Sequence, residues 1–365
     1  MKGNWTIRQL CAAVGCVFAA VVMTVSCTGL IFDDRAGCEH GIQMNFRYDY
    51  NLQRADMLAE HVGEATVYVF DGQGKFISSQ IFDFRQDSTV QAGLPEGSVV
   101  LELPAGSYRL VVLAHQDTWQ DDPAAPGAQF LRTPMTEGDD ISSLTVELEC
   151  AGTRAGGSSL SVNHEGQPLD TVWHAMTEAP VTVGEDGYTD ADISLVRNTK
   201  RITVTLRDLD SPEDTRVEDY EFEITDRNRR LLYDNSVDDT DTLLYTPFAL
   251  WNTTDRGSGT GTDNGATAHA DFMTSRIVYY DDPADDARLT VREKSTGRTI
   301  IDVDLPGLLS SLANYDELSQ YSPQEFLDRG YDYSLSFFIS GGDWAWVNVG
   351  IGVLGWSKRI QNVAL

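Results

Sequence analysis

Apolar and polar residues alternate along most of the chain, with the period of a β-strand. The alternation is clear at residues 43–48 (QMNFRY) and 201–206 (RITVTL). It places one face of each strand in a core and the other in solvent. Similar runs, separated by turn residues, lie at 65–70, 75–77, 98–103, 108–114, 144–148, 220–225, 276–280, 288–293, 299–303, 333–339 and 344–351. The pattern predicts an all-β protein built of antiparallel β-sandwiches.

Helical periodicity is confined to three short stretches, residues 55–62, 305–315 and 323–329. Helices and strands do not alternate regularly, so a doubly wound α/β fold is disfavoured. Residues 252–268 (NTTDRGSGTGTDNGATA) are rich in Gly, Ser and Thr, and we predict a flexible loop there. The fold is therefore expected to contain few helices, all of them short.

The two halves of the chain repeat each other weakly. Residues 67–71 (VYVFD) resemble residues 222–226 (FEITD), and the strands that precede them, at 44–47 and 204–207, are also alike. The offset is close to 155–160 residues. We therefore predict two sandwiches of similar topology in tandem, which occupy residues 38–194 and 195–365.

The N-terminus has the pattern of a bacterial lipoprotein signal peptide. Lys2 and Arg8 precede an uncharged apolar run of 16 residues at 10–25, and Ser26 then precedes Cys27. The run is shorter than the ~20 residues that a membrane-spanning helix needs. We predict cleavage after residue 26, acylation of Cys27 and a linker over 27–37. An uncleaved anchor helix and an ordinary signal peptide are the alternatives.

The cysteine count supports an exported protein. Cys11 and Cys16 would leave with the signal peptide and Cys27 would carry lipid, so two of the five cysteines remain, Cys38 and Cys150. In an oxidising compartment this pair is a candidate disulfide. Two separate buried thiols are the alternative.

The charge balance excludes several classes of partner. The chain has 27 Lys and Arg against 56 Asp and Glu, and loss of residues 1–26 changes its formal charge from −29 to −31. Nucleic acid is excluded, because phosphate binding needs a basic patch. Electrostatic docking on anionic lipid is disfavoured for the same reason. Firm attachment to a membrane therefore requires more than one acyl chain on Cys27.

No catalytic or metal-binding pattern stands out. The chain has no CxxC, HExxH or GxSxG string, and its six histidines are scattered. We predict a protein that is not an enzyme, with no metal and no cofactor.

Tryptophans raise one further possibility, a platform for sugar stacking. Trp344, Trp346 and Trp356 lie among glycines near the C-terminus. Because Trp344 and Trp346 are two residues apart, we predict that they share one strand face, in the sandwich interior. Glycan binding through Trp119, Trp251 or Trp346 is the alternative.

Several motifs, in order and spacing, resemble one family over nearly the whole chain. They are Cys27 with LIFDD at 30–34 and Cys38, FRYDYN at 46–51, VYVFD at 67–71, LPAGSY at 103–108, RNTK at 197–200, YDYSL at 331–335, and the tail VLGW at 353–356 with NVAL at 362–365. The chain resembles the FimB-type anchor branch of the type V fimbrial proteins of Bacteroidales. The resemblance implies two transthyretin-like sandwiches and export to the outer membrane as a lipoprotein. It also implies assembly by strand complementation between subunits.

The predicted function follows from this resemblance. We expect a structural lipoprotein subunit that anchors or caps a type V fimbria at the outer membrane, with the lipid on Cys27. Its partners would be fimbrial shaft subunits, and a strand could be either donated or accepted. A surface glycan-binding lipoprotein is the alternative function.

Overall fold

The computed structural model describes residues 39–85, 94–117, 127–153, 160–162, 164–256, 263–313, 321–353 and 356–363. Strands dominate these residues, and the longest helix among them has seven residues. The described structure is therefore mostly β with few short helices, in agreement with that part of the prediction. No helix in the described part of the chain is long and apolar enough to cross a bilayer.

The described residues of the first half form thirteen strands and one short α-helix. They are β1 His40–Arg47, α1 Leu58–His61, β2 Glu64–Asp71, β3 Phe76–Asp83, β4 Ser98–Glu102, β5 Gly106–His115, β6 Phe130–Arg132, β7 Thr145–Leu148, β8 Ala151–Thr153, β9 Leu160–Ser161, β10 Val172–Met176, β11 Val181–Val183, β12 Gly187–Ser194 and β13 Val196–Arg197.

The part of the second half that the structure describes forms twelve strands and two short α-helices. They are β14 Lys200–Asp208, β15 Tyr220–Asp226, β16 Arg230–Leu232, β17 Val237–Asp238, β18 Leu243–Tyr245, β19 Ala249–Arg256, β20 Asp263–Thr274, β21 Arg288–Glu293, β22 Thr299–Asp304, α2 Leu305–Ser310, α3 Pro323–Arg329, β23 Asp332–Ser340, β24 Asp343–Val353 and β25 Trp356–Val363. Helix α3 begins at a capping side chain, since Ser322 Oγ accepts from Glu325 N at 3.2 Å.

The first sandwich packs sheet A, of order β12-β1-β4, against sheet B, of order β13-β10-β5-β2-β3 with β11 beside β5. The alternation read from the sequence explains the packing, because Ile42, Met44 and Phe46 of β1 all point into the core. The strands β2, β5 and β10 of sheet B are buried on both faces. The side chains of sheet B toward sheet A include Val67, Val69, Leu110, Val112 and Trp173. Its opposite face, with Tyr68, Phe70, Val111 and Leu113, joins the core of the second half.

The second sandwich packs sheet C, of order β19-β20-β14-β23-β24-β25, against sheet D, of order β22-β21-β15-β18-β9-β8. The interior side chains of the central strand β14 are Ile202, Val204 and Leu206, which are fully buried. The side chains between them, at 201, 203, 205 and 207, form part of the outer face of sheet C.

The strand pairing repeats between the two halves. In sheet A, β1 lies between antiparallel β4 and parallel β12. In sheet C, β14 lies between antiparallel β20 and parallel β23. The pairing around β1 therefore matches the pairing around β14. The division into two tandem sandwiches stays a prediction. Their assignment to the transthyretin type stays a prediction.

Strands from residues 145–161 cross to the second half. In sheet E, of order β17-β16-β7-β6, β7 pairs with β16, and at the edge of sheet D β9 runs parallel to β18. Backbone hydrogen bonds therefore join the two halves. The predicted domain boundary between residues 194 and 195 stays a prediction. Strands on its two sides pair with each other.

Three local predictions are wrong. Residues 276–280 form no strand, because side chains take their amides: Tyr279 N donates to Gln324 Oε1 and Tyr280 N to Asp286 Oδ1. Residues 252–268 are not one loop, since β19 extends to Arg256 and β20 begins at Asp263. Trp344 and Trp346 do not share a face.

A β-bulge separates the two tryptophans. The register shifts between Phe338 and Ile339, so that Trp346 pairs with Phe338 and Trp344 with Ile339. One extra residue in a strand reverses the facing of the residues beyond it. Trp344 therefore contacts Phe337, an interior residue, whereas Trp346 stacks on Phe338 of the outer face.

Candidate functional site at the joint between the sandwiches

The predicted modification sites lie mostly outside the described residues. Cys27 and Cys38 are not among them. Cys150 follows β7 and is half-buried, with Sγ 3.4 Å from Leu148 O. Burial raises the pKa of its thiol to about 11, so it stays protonated at neutral pH.

The disulfide between Cys38 and Cys150 stays a prediction. Glu39, the residue after Cys38, lies next to β1 of sheet A, whereas Cys150 follows β7 of sheet E. A bond requires Cα atoms within about 7 Å. A peptide map of the non-reduced mature protein is expected to show one linked peptide if the bond forms. Two free thiols in that map would rule it out.

The motif RNTK at 197–200 lies buried where the two sandwiches meet. It connects β13 of the first sandwich to β14 of the second. Asn198 N donates to Val172 O of β10 at 2.8 Å, and its side chain donates to Asn235 Oδ1 at 2.7 Å. The motif is therefore tied to strands of both halves, and we call this region the joint.

Lys200 is the best-buried charged side chain of the joint, with 0% exposure. Its Nζ donates to three backbone carbonyls: Arg197 O at 2.9 Å, Asp328 O at 3.1 Å and Gly330 O at 2.8 Å. An ammonium has three N–H groups, so all of them are used. Two of the acceptors lie at the C-terminal end of α3, where unpaired carbonyls attract a cation. Burial lowers the pKa of Lys200 to about 7.

Arg197 is clamped between aromatic rings. Its guanidinium carbon lies 4.2 Å from the ring centroid of Tyr331 and 5.6 Å from that of Trp173. Its Nε donates to Thr199 O at 3.2 Å. Tyr48 packs edge-on against Trp173 at 5.7 Å. Cation–π contacts gain strength when they are desolvated, as they are here.

An ion pair closes another side of the joint. Arg276 binds Asp328 with two hydrogen bonds, Nε to Oδ1 at 2.8 Å and Nη2 to Oδ2 at 2.7 Å. The two side chains are 15% and 10% exposed. Arg276 Nη1 also donates to Asn235 O. A bidentate, desolvated pair of this kind fixes the position of α3 against residues 235 and 276.

Residues just after β1 reach across to the second sandwich. Arg329 of α3 lies over the ring of Tyr50, 3.9 Å from its centroid. Gln53 Nε2 donates to Tyr331 Oη at 3.2 Å, and Arg54 Nε to Tyr321 Oη at 3.1 Å. The end of β1 is therefore fastened directly to the segment that contains α3 and the start of β23.

The charged side chains of the joint are engaged in structural contacts. The Lys200 ammonium donates to backbone carbonyls, and the Arg197 guanidinium lies against aromatic rings. Buried His174, whose Nε2 lies 2.8 Å from Tyr233 O, has its pKa lowered to about 4 by burial and stays neutral. Within the described ranges, no three His, Cys, Asp or Glu side chains are grouped to hold a metal ion.

Sequence reasoning found part of this site. The motif RNTK, Tyr48 and Tyr331 belong to the motifs that carry the family resemblance, and the sequence gives no other sign of their role. Trp173, His174 and the Arg276–Asp328 pair were missed. No short-range signal marks them, because each belongs to a different strand or turn and they meet only in the folded chain.

The family is decided by a match over nearly the whole chain. The model of the fimbrillin-A associated anchor proteins Mfa1 and Mfa2, named Mfa2, matches residues 35–362. The chain belongs to this family. The resemblance to a fimbrial anchor branch is thus confirmed, and the protein is a structural, non-enzymatic anchor protein associated with fimbriae and the cell surface.

Individual relatives of the Mfa2 family agree. The minor fimbrium anchoring subunit Mfa2 of Porphyromonas gingivalis is 23% identical over 316 residues, covering 85% of this chain and 84% of its own. A candidate adhesin of Bacteroides thetaiotaomicron has TM-score 0.70 and 26% identity, with 90% of this chain and 100% of that chain covered. The solved structure of the fimbrial anchor protein Mfa2 of P. gingivalis shares the fold, with TM-score 0.53, 19% identity and coverage of 87% of this chain and 98% of that chain.

Proposed function

We propose that this protein holds the base of a type V fimbria at the outer membrane through lipid on Cys27, and that it joins a shaft subunit by strand complementation. The observation that carries the proposal is the order of elements from one end of the chain to the other. Strand β1, the joint and the edge strand β25 follow one another along the chain, which is the path that tension from a lipid on Cys27 would take.

The tether to the membrane is short. Cys27 precedes Glu39, the first described residue, by 12 positions. At ~3.3–3.6 Å per residue, such a segment spans at most about 40 Å. The first sandwich would therefore stay close to the lipid surface, even though the formal charge of −31 on the cleaved protein opposes adsorption there.

The path of tension runs along parallel strand pairs. Force on the linker enters β1, which pairs with parallel β12 over eight residues. Beyond the joint it enters β14, which pairs with parallel β23 over eight residues. Pulling such strands apart lengthwise loads many hydrogen bonds at once. The joint lies between the two pairs, so its buried contacts would carry the same load.

The C-terminal strand β25 is the best candidate for exchange with a neighbour. Among the described strands it lies at the edge of sheet C, where its pairing partner is β24. Its departure would break one ladder and leave the order of the other strands unchanged. An edge strand also presents unpaired backbone groups to a partner. We therefore propose that β25 is the complementing strand, donated to a shaft subunit.

A reversible lock between β24 and β25 tests this assignment. Asn348 pairs with Gln361, so Asn348→Cys with Gln361→Cys would place two cysteines opposite each other at a separation that suits a disulfide. We expect the oxidised protein to lose co-purification with fimbrial subunits and to regain it after reduction. The loss should be nearly complete, because a covalently held strand cannot leave its sheet.

The matched control shares one of the two positions. Ser336 of β23 also pairs with Asn348, so Ser336→Cys with Asn348→Cys locks β23 to β24. This lock should leave co-purification unchanged. If the oxidised protein with the β24–β25 disulfide co-purifies with fimbrial subunits as well as the control does, β25 is not the exchanged strand.

A further inference from the structure

The outer face of sheet C carries a row of side chains that crosses five strands. Trp251 pairs with His269, His269 with Thr205, Thr205 with Ser336, and Ser336 with Asn348. Paired residues point to the same side of a sheet. The row therefore runs from an aromatic side chain on β19, through hydroxyl and imidazole groups, to an amide on β24.

Aromatic stacks mark both ends of this face. Trp251 is 37% exposed and stacks on His269 with ring centroids 5.0 Å apart and an interplanar angle of 6°. Trp346 stacks on Phe338 at 5.3 Å and 22°. With strands about 4.8 Å apart, four steps separate the two tryptophans by roughly 20 Å. The span suits an extended chain of several units better than one small molecule.

The first stack is held in place before any ligand arrives. His269 Nδ1 lies 3.3 Å from Thr205 Oγ1, and His269 Nε2 lies 2.8 Å from Thr253 Oγ1. Two hydroxyls thus fix the plane of the imidazole, and the imidazole supports the indole of Trp251. Groups that are already ordered lose little conformational entropy on binding, which favours affinity.

The charge of the face selects a neutral occupant. The row from Trp251 to Asn348 contains no carboxylate and no ammonium. Elsewhere on this face, strands β14, β20 and β23 carry Arg201, Arg207, Asp271 and Asp332, whose two positive and two negative charges cancel. Nearby Arg201 is paired with Asp271 at 2.5 Å. The whole chain has a formal charge of −29, so a polyanion would be repelled. A neutral chain with apolar C–H faces and many hydroxyls matches both the rings and the polar groups between them.

We propose that the outer face of sheet C is a binding platform for a neutral polysaccharide, with sugar rings stacked on Trp251 and Trp346 and hydroxyls bonded to Ser336 between them. This property is independent of anchoring, since neither the Cys27 lipid nor the β25 strand takes part. An anchor subunit with this platform would bind glycan at the cell surface.

Affinity gel electrophoresis of the purified full chain in gels containing mannan, dextran or arabinoxylan tests the platform. We expect retardation by at least one of these neutral polysaccharides. Trp251→Ala and Trp346→Ala should each weaken binding roughly five- to tenfold, as expected for loss of one aromatic contact. Trp251→Phe should retain most of the binding, because it keeps a ring for stacking.

Tyr188→Ala is the matched control, because Tyr188 has the same 37% exposure as Trp251 but belongs to sheet A. It should bind like the unaltered protein. Three results would overturn the proposal: no retardation by any of the three polysaccharides, binding untouched by Trp251→Ala and Trp346→Ala, or equal loss in Tyr188→Ala. A face that instead joins two copies of the chain would give the first result, together with dimerisation that Trp251→Ala abolishes.

Discussion

Replacement of Lys200 by methionine is expected to lower the free energy of unfolding by roughly 3–5 kcal/mol near pH 7. Methionine fills most of the space but offers no N–H group. The carbonyls of Arg197, Asp328 and Gly330 would then be buried without a donor. A buried ion pair can sometimes be replaced by apolar side chains at little cost. That outcome is not expected here, because the three acceptors belong to the backbone and stay in place.

Lys294→Met is the matched control for this experiment. Lys294 Nζ donates to one carbonyl, Glu218 O at 2.8 Å, on the exposed surface. Its replacement should change the free energy of unfolding by less than about 0.5 kcal/mol. Denaturant unfolding followed by tryptophan fluorescence measures both variants. A loss below about 1 kcal/mol for Lys200→Met would mean that the joint does not depend on this side chain.

The pH dependence of the stability difference between the unaltered protein and Lys200→Met reports on the protonation of Lys200. Burial lowers the pKa of Lys200 from 10.5 to about 7, so the unfolded chain holds the extra proton between these values. Stability due to this group therefore rises with pH through that window. Relative to Lys200→Met, the unaltered protein should gain roughly 2–3 kcal/mol from pH 7 to pH 9. A constant difference across this range would contradict the lowered pKa.

Substitution Cys27→Ala is expected to move the protein out of the outer membrane almost completely. The acidic body has no other means of attachment in this account, and its formal charge opposes adsorption to anionic lipid. The variant should stay folded, since residue 27 precedes β1 by more than ten positions. Fractionation and immunoblotting of membrane and soluble fractions measure the change.

Cys150→Ala separates loss of lipid from loss of a thiol. Cys150 lies after β7, remote from the signal peptide in sequence, and its replacement should leave the protein in the membrane fraction. Recovery of Cys27→Ala in the outer membrane at the level of Cys150→Ala would refute the lipid anchor.

The fold was predictable from the sequence where the physics is local. The alternation at residues 43–48 and 201–206 places Ile202 and Met44 in cores, as strand periodicity requires. The β-bulge near Ile339 was not predictable, because one extra residue leaves no mark in the pattern of residue types. This bulge determines that Trp346 lies on the outer face of sheet C and not in the core.

The joint was hidden for a different reason. Charged residues usually lie on the surface, so Arg197 and Lys200 gave no sign of complete burial. What makes their burial tolerable is long-range: α3 brings carbonyls to Lys200 from residues 328 and 330, and β10 brings Trp173 to Arg197. The exchange of β7 and β9 into sheets of the second half is equally non-local, and composition does not encode it.

The fate of fimbriae in cells whose only copy carries Cys27→Ala tests the anchoring role most directly. Fimbriae would be collected separately from washed cells and from cell-free medium, and the variant subunit would be located on them by immunogold labelling. The account predicts that fimbriae still assemble, carry the variant at one end and accumulate in the medium. Fimbriae that remain on the cells in normal amounts would contradict it.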